Sequence, residues 1–371
     1  MRPFRVGNKV VSQDFNTYYY GSRPVDYSQG VPVRELTRQT RTSDETINSC
    51  KDFAAARRYV VEASGVARQL SERSTAFTYD SSNHDFGMIV GESDYLYRTG
   101  VESTPFEVFK MLAVGPSEKK GHYRFKNKVL KTSRYKVDDI PAQGWDFTTT
   151  HLYPMLEGPN VKPFAFDCGE NCHVIPYDPA DTTKPVSLET LAAEDPELAD
   201  YFSSHRALLD MQSDKSKMMH RGGAFYALSK IGPYTFAPCM VAARDNTFFC
   251  ATVVGDTKTA WGEVKKTICV KHTIIISQDK DGRFITEDEA HYVNGVLNSS
   301  IVHDYIHSTF KTNGFSLNKS KLFLPAYQAG ERLFTKIAEL SKRATADEEF
   351  RTLAPAELTK AYVDLCRRFN K

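Results

Sequence analysis

The chain has 371 residues, 41% hydrophobic and 25% charged, with a formal net charge of only +2 at pH 7. That length supports a large core in two or three units, and the charge balance gives no strong field around the whole molecule, so net charge neither supports nor excludes a nucleic-acid partner. No apolar stretch reaches signal-peptide or membrane-span length, and seven cysteines at irregular spacing do not form a disulfide framework, which predicts a cytoplasmic protein with reduced thiols and no membrane partner.

Residues 1 to about 50 are rich in turn formers, as in YYYGSRPVDYSQG, and read as an irregular arm or a few short strands. From 51 to 72, Phe53, Ala56, Val60, Ala63, Ala67 and Leu70 recur at spacings of three and four, which predicts a helix that Gly65 weakens by about 1 kcal/mol. Short strands and loops follow from 77 to 256, with YRFKNKVL, HVIPY, YTFAPCMVAA and NTFFCATVVG as strands. Helical insertions are expected at 187 to 191 and 196 to 209, and a further strand cluster at 265 to 276 ends at the turn DKDG.

Helices return at 286, where Thr286 and Glu289 form a capping box, and Asn298-Ser299-Ser300 reads as a break between two helices. LFLPAY then marks a buried edge. Two helices are expected in the tail, at 330 to 343 and 355 to 369, with Pro355 in the first turn of the second. The predicted fold is α+β: an N-terminal arm and helical segment at 1–94, a strand-rich body at 95–285 and a helical region at 286–371.

The familiar short indicators of nucleotide, zinc-hydrolase and esterase chemistry are missing, and DFG at 85 to 87 stands without other kinase signatures. Cys168, Cys172 and His173 could supply three of four zinc ligands, or form a loop with ordinary thiols. Asp256, Glu263 and Lys265 resemble the acid and lysine elements of a magnesium-dependent nuclease, or the charged rim of a hairpin. The strongest signal is KKGHYRFKNKVLKTSRYK, 119 to 136. It carries Lys119, Lys120, Arg124, Lys126, Lys128, Lys131, Arg134 and Lys136 without one acid, interleaved with Tyr123, Phe125 and Tyr135. A strand-turn-strand unit there could bury alternate aromatics while the cations meet phosphates, although a solvated basic face or an acidic protein partner fits the same pattern. His220, Arg221, Lys265, Lys266 and Lys271 could extend that surface.

Four ordered segments carry a family resemblance: THLYPMLEGPNVKPF (150 to 164), KIGPYTFAPCMVAARDNTFFCATVV (230 to 254), TEDEAHYVNGVLNSSIVHDYI (286 to 306) and KTNGFSLNKSKLFLPAY (311 to 327). Together, over about 95 to 330, they resemble the target-recognition region of fused type II restriction and adenine-methylation enzymes. The resemblance implies a mixed strand-rich DNA target-recognition domain with flanking and C-terminal helices. In it, Asn298 and Ser299 are structural landmarks, and base-contacting residues do not transfer because they vary with the target. The chain lacks the Pro-Pro-containing loop and cofactor loop of the catalytic domain. It is therefore expected to be a separate recognition subunit, favoured by its start at Met1, or a fragment. Double-stranded DNA and an adenine-specific methyltransferase that carries S-adenosylmethionine are the implied partners, and no cofactor belongs to this chain. A metal-dependent restriction endonuclease and an antirestriction or protein-interaction module are the alternatives; homo-oligomerisation is left open.

Overall fold

The computed structural model describes residues 5–6, 9–10, 30–39, 46, 49–69, 77–79, 86–131, 133, 135–137, 140–141, 143–211, 223–310 and 314–370, in two units, Met1–Gly87 and Met88–Lys371. In the first unit, β1 (Arg5–Val6) pairs with β2 (Lys9–Val10), and β3 (Val31–Arg38), β4 (Val60–Gln69) and β5 (Phe77–Tyr79) form an antiparallel sheet. The helix expected over 51 to 72 is corrected here. Among the described residues of that range, only α1 (Phe53–Ala56) and a 3-10 turn at Arg57–Tyr59 are helical, and the chain then becomes β4. Val60, Val61, Gly65 and Val66 all have poor helix propensity, and pairing with β3 from Val31↔Ala67 to Arg38↔Val60 gives the backbone a cross-strand alternative.

The second unit is mixed α+β. Its elements begin with β6 (Arg98–Thr99), α2 (Phe106–Phe109), β7 (Lys110–Pro116), β8 (Tyr123–Asn127), β9 (Trp145–Phe147), β10 (Leu152–Leu156), β11 (Val161–Lys162), β12 (Ala165–Phe166) and β13 (Asn171–Val174). Three helices follow: α3 (Leu188–Glu194), α4 (Pro196–Ser204) and α5 (Arg206–Asp210), the last two being the single helix expected at 196 to 209, divided at His205. Then come β14 (Met240–Arg244), β15 (Ala251–Val254), β16 (Asp256–Lys258), β17 (Val264–Lys266), β18 (Ile268–Cys269) and β19 (Thr273–Ile276).

Among the described residues, a six-stranded sheet runs β18-β10-β13-β7-β8-β9, antiparallel except for the β10–β18 pair. A four-stranded antiparallel sheet runs β15-β14-β19-β6. Phe125, Phe147 and Leu152 of the larger sheet and Phe109 of α2 share a core with Leu191, Leu198, Tyr201 and Phe202 of α3 and α4, and Phe147 meets Tyr201 edge-on at 5.3 Å. The smaller sheet buries Met240, Ala242, Val254 and Ile275 in a separate cluster.

The C-terminal region is helical: α6 (Glu287–Leu297), α7 (Ser300–Thr309), α8 (Leu317–Ser320), α9 (Arg332–Ala346) and α10 (Glu348–Phe369). The capping box forms, with the Thr286 hydroxyl accepting from the Glu289 N–H at 3.3 Å and the Glu289 carboxylate from the Thr286 N–H at 3.2 Å. Asn298 ends α6 and Ser299 precedes α7, so the polar triplet does break the helix. The final helix begins seven residues earlier than its sequence pattern implies, at Glu348 rather than Pro355. Asp347 caps it by accepting from the Phe350 N–H at 3.0 Å, and the buried row Phe350, Ala354, Leu358, Ala361, Tyr362 and Leu365 carries the helix through the proline. No helix among the described residues is long and apolar enough to cross a membrane.

Helix α6 is buried on all sides from Glu289 to Leu297 because it lies against α9 and α10 as well as the smaller sheet. Gly295 permits that approach. A Cβ there would stand 2.8 Å from Ile337 Cγ2, 3.0 Å from the Ile337 carbonyl and 3.0 Å from Leu358 Cδ2. Gly295→Ala is therefore expected to lower stability by about 1–3 kcal/mol despite its gain of about 1 kcal/mol in helix propensity. Urea denaturation checks this, and a stabilised variant would refute the close-approach argument.

Candidate nucleic-acid interface

Among its described residues the basic stretch does not form a strand-turn-strand unit: the one strand there is β8, whose partners are β7 and β9. Alternation sends Phe125 and Asn127 into the core, where Phe125 packs against Phe147 and edge-on against Trp261, at 6.2 and 5.5 Å. Asn127 secures the strand with three hydrogen bonds. Its amide donates to the Glu107 carbonyl at 2.9 Å and to the Tyr201 hydroxyl at 2.6 Å, and its carbonyl accepts from Trp145 Nε1 at 2.7 Å. The opposite alternation carries Arg124 and Lys126, both partly exposed.

Intramolecular carboxylates divide the cations into two sets. Arg124 makes a double contact with Asp146 at 2.9 and 3.3 Å, and that guanidinium holds the Asp146 carboxyl below the usual carboxylate range. Lys119 pairs with Glu197, which also meets His122 Nε2 at 3.2 Å. Lys128 pairs with Glu157 and donates to Asn171 at 2.6 Å, while Lys110 reaches the same Glu157 at 2.9 Å. Burial alone would raise the Glu157 pKa, but Lys110 and Lys128 together keep it low.

No carboxylate of the described residues pairs with Lys120, Lys126 or Lys131. Lys136 donates to the Leu130 carbonyl at 3.1 Å. Arg134, His220 and Arg221 lie outside the described residues. Lys266 and Lys271, candidate extensions of this surface, are paired with Asp256 at 2.7 Å and with Glu102.

The suggested nuclease triplet is split by its hairpin. In β16–β17, Asp256 stands opposite Lys266 while Lys265 stands opposite Thr257, so Asp256 and Lys265 occupy opposite faces. Glu263 accepts from the Thr149 hydroxyl at 2.7 Å and from Trp261 Nε1 at 2.8 Å, and lies 3.6 Å from Lys265. Lys265 donates to the Thr149, Thr150 and Leu152 carbonyls, the last two at 3.2 and 3.0 Å, and sits 5.0 Å above the Tyr153 ring. Burial pulls its pKa down. In this arrangement the lysine fastens the hairpin to β10.

The suggested zinc ligands are also separated. Cys172 belongs to the core of the larger sheet and Cys168 to that of the smaller, and burial pushes the Cys168 thiol up to about 12. His173 neighbours Cys172 on a strand, so the two point to opposite faces, and both His173 ring nitrogens already have partners in Val174 and Ser103. Among the described residues no group of three or more histidines, cysteines and acids could hold a metal ion.

A cleft of about 720 Å³ adjoins the basic stretch, lined by Lys110 of the larger sheet, Arg244 of the smaller, and Glu107, Lys128 and Glu157. Glu107 and Arg244 were not candidates from sequence. The available signals were an acid inside the apolar run PFEVF and a cation closing the buried run CMVAAR. No protein-family model matches this chain, and no curated protein matches it.

Proposed function

We propose that this chain is a recognition module for double-stranded DNA that positions its target for a separate adenine-specific methyltransferase, the subunit that would bind S-adenosylmethionine. One observation carries the reading: among the described residues no carboxylate pairs with Lys120, Lys126, Lys131 or Lys136, and Lys126 stands on β8, whose alternate side chains are locked into a six-stranded sheet. A rigid base lets phosphate contacts set register without first ordering the cations, and neighbouring loops then inspect base edges. The ordered resemblance of 95 to 330 to target-recognition regions supports the same reading.

Fluorescent duplexes titrated at several salt concentrations test it. With three or four phosphate contacts, affinity is expected to fall roughly as the third to fourth power of salt, at about 0.9 per contact. The triple variant Lys120→Glu, Lys126→Glu, Lys131→Glu is expected to bind at least about tenfold more weakly at low salt with an unchanged circular dichroism spectrum. A chain that binds no duplex, alone or with a co-purifying methyltransferase, overturns the proposal. Magnesium-dependent cleavage that Glu263→Ala abolishes would replace it with a nuclease.

A further inference from the structure

The cleft, with its volume of about 720 Å³, is lined from the basic stretch by Lys128, Leu130 and Tyr135, and from the end of β14 and the turn after it by Arg244, Asn246 and Thr247. Its two partly exposed carboxylates are each shared by two lysines: Glu157 by Lys110 and Lys128, and Glu102 by Lys230 and Lys271. Glu107 lies behind that surface. It is 1% exposed, and both of its carboxylate oxygens are buried without a hydrogen-bond partner among the described residues. Asp245, next to Arg244 in the chain, is not part of the lining and stands 3.5 Å from His272 Nδ1.

The arginine is the cation that none of these acids takes. Its Nε donates to the Asn246 carbonyl at 3.0 Å, and no carboxylate of the described residues pairs with its guanidinium. Its stem lies against Gly158, where a Cβ would stand 3.8 Å from Arg244 Cγ, so it passes beside the residue that follows Glu157 without pairing with that carboxylate. The turn that carries it is anchored, because the Phe315 N–H donates to the Asp245 carbonyl at 2.7 Å and the Phe249 N–H to His307 Nε2 at 3.3 Å. A guanidinium offers its donors in a planar fork that matches phosphate oxygens, and surplus lysines add charge as point cations.

We propose that this cleft holds a phosphate group, gripped by Arg244 and drawn in by the lysines that outnumber Glu102 and Glu157. The phosphate belongs either to the backbone of bound duplex or to a free phosphate compound. The duplex source rests on the DNA-binding reading above and extends its track from the basic stretch to β14, whereas the free source does not depend on that reading.

Duplexes titrated over a range of salt, together with calorimetric titration with inorganic phosphate, test this on the full chain and on its Arg244→Ala, Arg244→Lys and Thr247→Asp variants. From the duplex source, Arg244→Ala is expected to weaken every duplex sequence alike, about tenfold at low salt, and to lower the salt exponent by about 0.9, the share of one phosphate contact. Arg244→Lys keeps the charge and is expected to keep the exponent, which a purely structural role for the arginine does not predict. Thr247→Asp adds an acid to the lining where the backbone is left-handed, at φ 64°, a conformation that aspartate adopts more readily than threonine. It is expected to reproduce the loss of affinity in a chain with an unchanged circular dichroism spectrum, and so decides the matter should Arg244→Ala not fold. Arg244-dependent binding of inorganic phosphate with an unchanged duplex exponent identifies the free source and upholds the cleft. The same phosphate binding in a chain that takes no duplex removes the DNA reading and keeps the cleft. Duplex binding whose strength and exponent neither variant moves, in a chain that takes up no phosphate, overturns the cleft and leaves the DNA reading standing. A chain that binds neither overturns both.

Discussion

Urea unfolding at pH 4.5 is expected to show at least about 2.5 kcal/mol less stability than at pH 7, from His173 alone. This ring is fully buried in β13, stacked 5.9 Å from Phe109. Its Nδ1–H donates to the Val174 carbonyl at 2.7 Å, and its Nε2 accepts from the Ser103 hydroxyl at 3.1 Å, a tautomer set by those partners. Burial, helped by the charge of Lys110, pulls its pKa down to about 3. The unfolded chain titrates near 6.5, so between about 6.5 and 3 the unfolded state holds a proton that the folded state refuses. Stability is therefore present above 6.5 and is lost as pH falls through that window.

Burial lowers His151, His205, His291 and His307 as well, so they add loss of the same sign below their unfolded values. Depressed carboxylates such as Asp146 and Glu157 contribute only at lower pH, as their own unfolded range near 4 is crossed. His173→Gln is expected to flatten the pH slope by about one proton. A stability that stays level from pH 7 to 4.5 would show that these imidazoles are hydrated and free to ionise.

Asn298→Ala is expected to destabilise the protein by roughly 2 kcal/mol, because it leaves the buried Ala251 N–H without its partner and removes one of two donors to the Ala251 carbonyl, the other being the Phe164 N–H at 3.0 Å. Asn298 Oδ1 accepts from the Ala251 N–H at 3.1 Å, and Nδ2 donates to the Ala251 carbonyl at 2.8 Å, so the side chain mimics a neighbouring strand along β15. The same amide donates to the Asn294 carbonyl at 3.0 Å and to its side-chain oxygen at 2.8 Å, while Asn294 donates to Ser341 Oγ of α9 at 3.0 Å. The helix end, the smaller sheet and α9 thus share one polar network. Ser299→Ala removes only the 2.7 Å bond to the Val296 carbonyl and is expected to cost less than about 1.5 kcal/mol. Paired chemical denaturation of the two variants checks the difference, and a loss below about 1 kcal/mol for Asn298→Ala would mean that water replaces the amide at β15.

Local chemistry was legible where neighbours in sequence are also neighbours in space. Thr286 and Glu289 form their box within one helical turn, and Asn298 ends a helix because its amide competes for backbone partners. The alternation in YRFKN likewise put Phe125 inside, since a strand's side chains change face at every residue. The stretch at 51 to 72 misled because its three-and-four spacing fits a helix locally. The backbone partners that made it β4 lie some thirty residues away, in 31 to 38.

Charge was the property least decided by sequence. Eight cations without an acid among them suggest a uniform basic face, yet Asp146, Glu157 and Glu197 arrive from β9, the end of β10 and α4 to neutralise three of them. The amino-acid order determined where turns, caps and alternating faces fall, because those depend on backbone geometry over a few residues. Tertiary structure alone decided which lysines stay available to a phosphate, why Glu107 has no partner and how Asn298 meets a strand. Each of these depends on distances between segments that only the folded packing brings together.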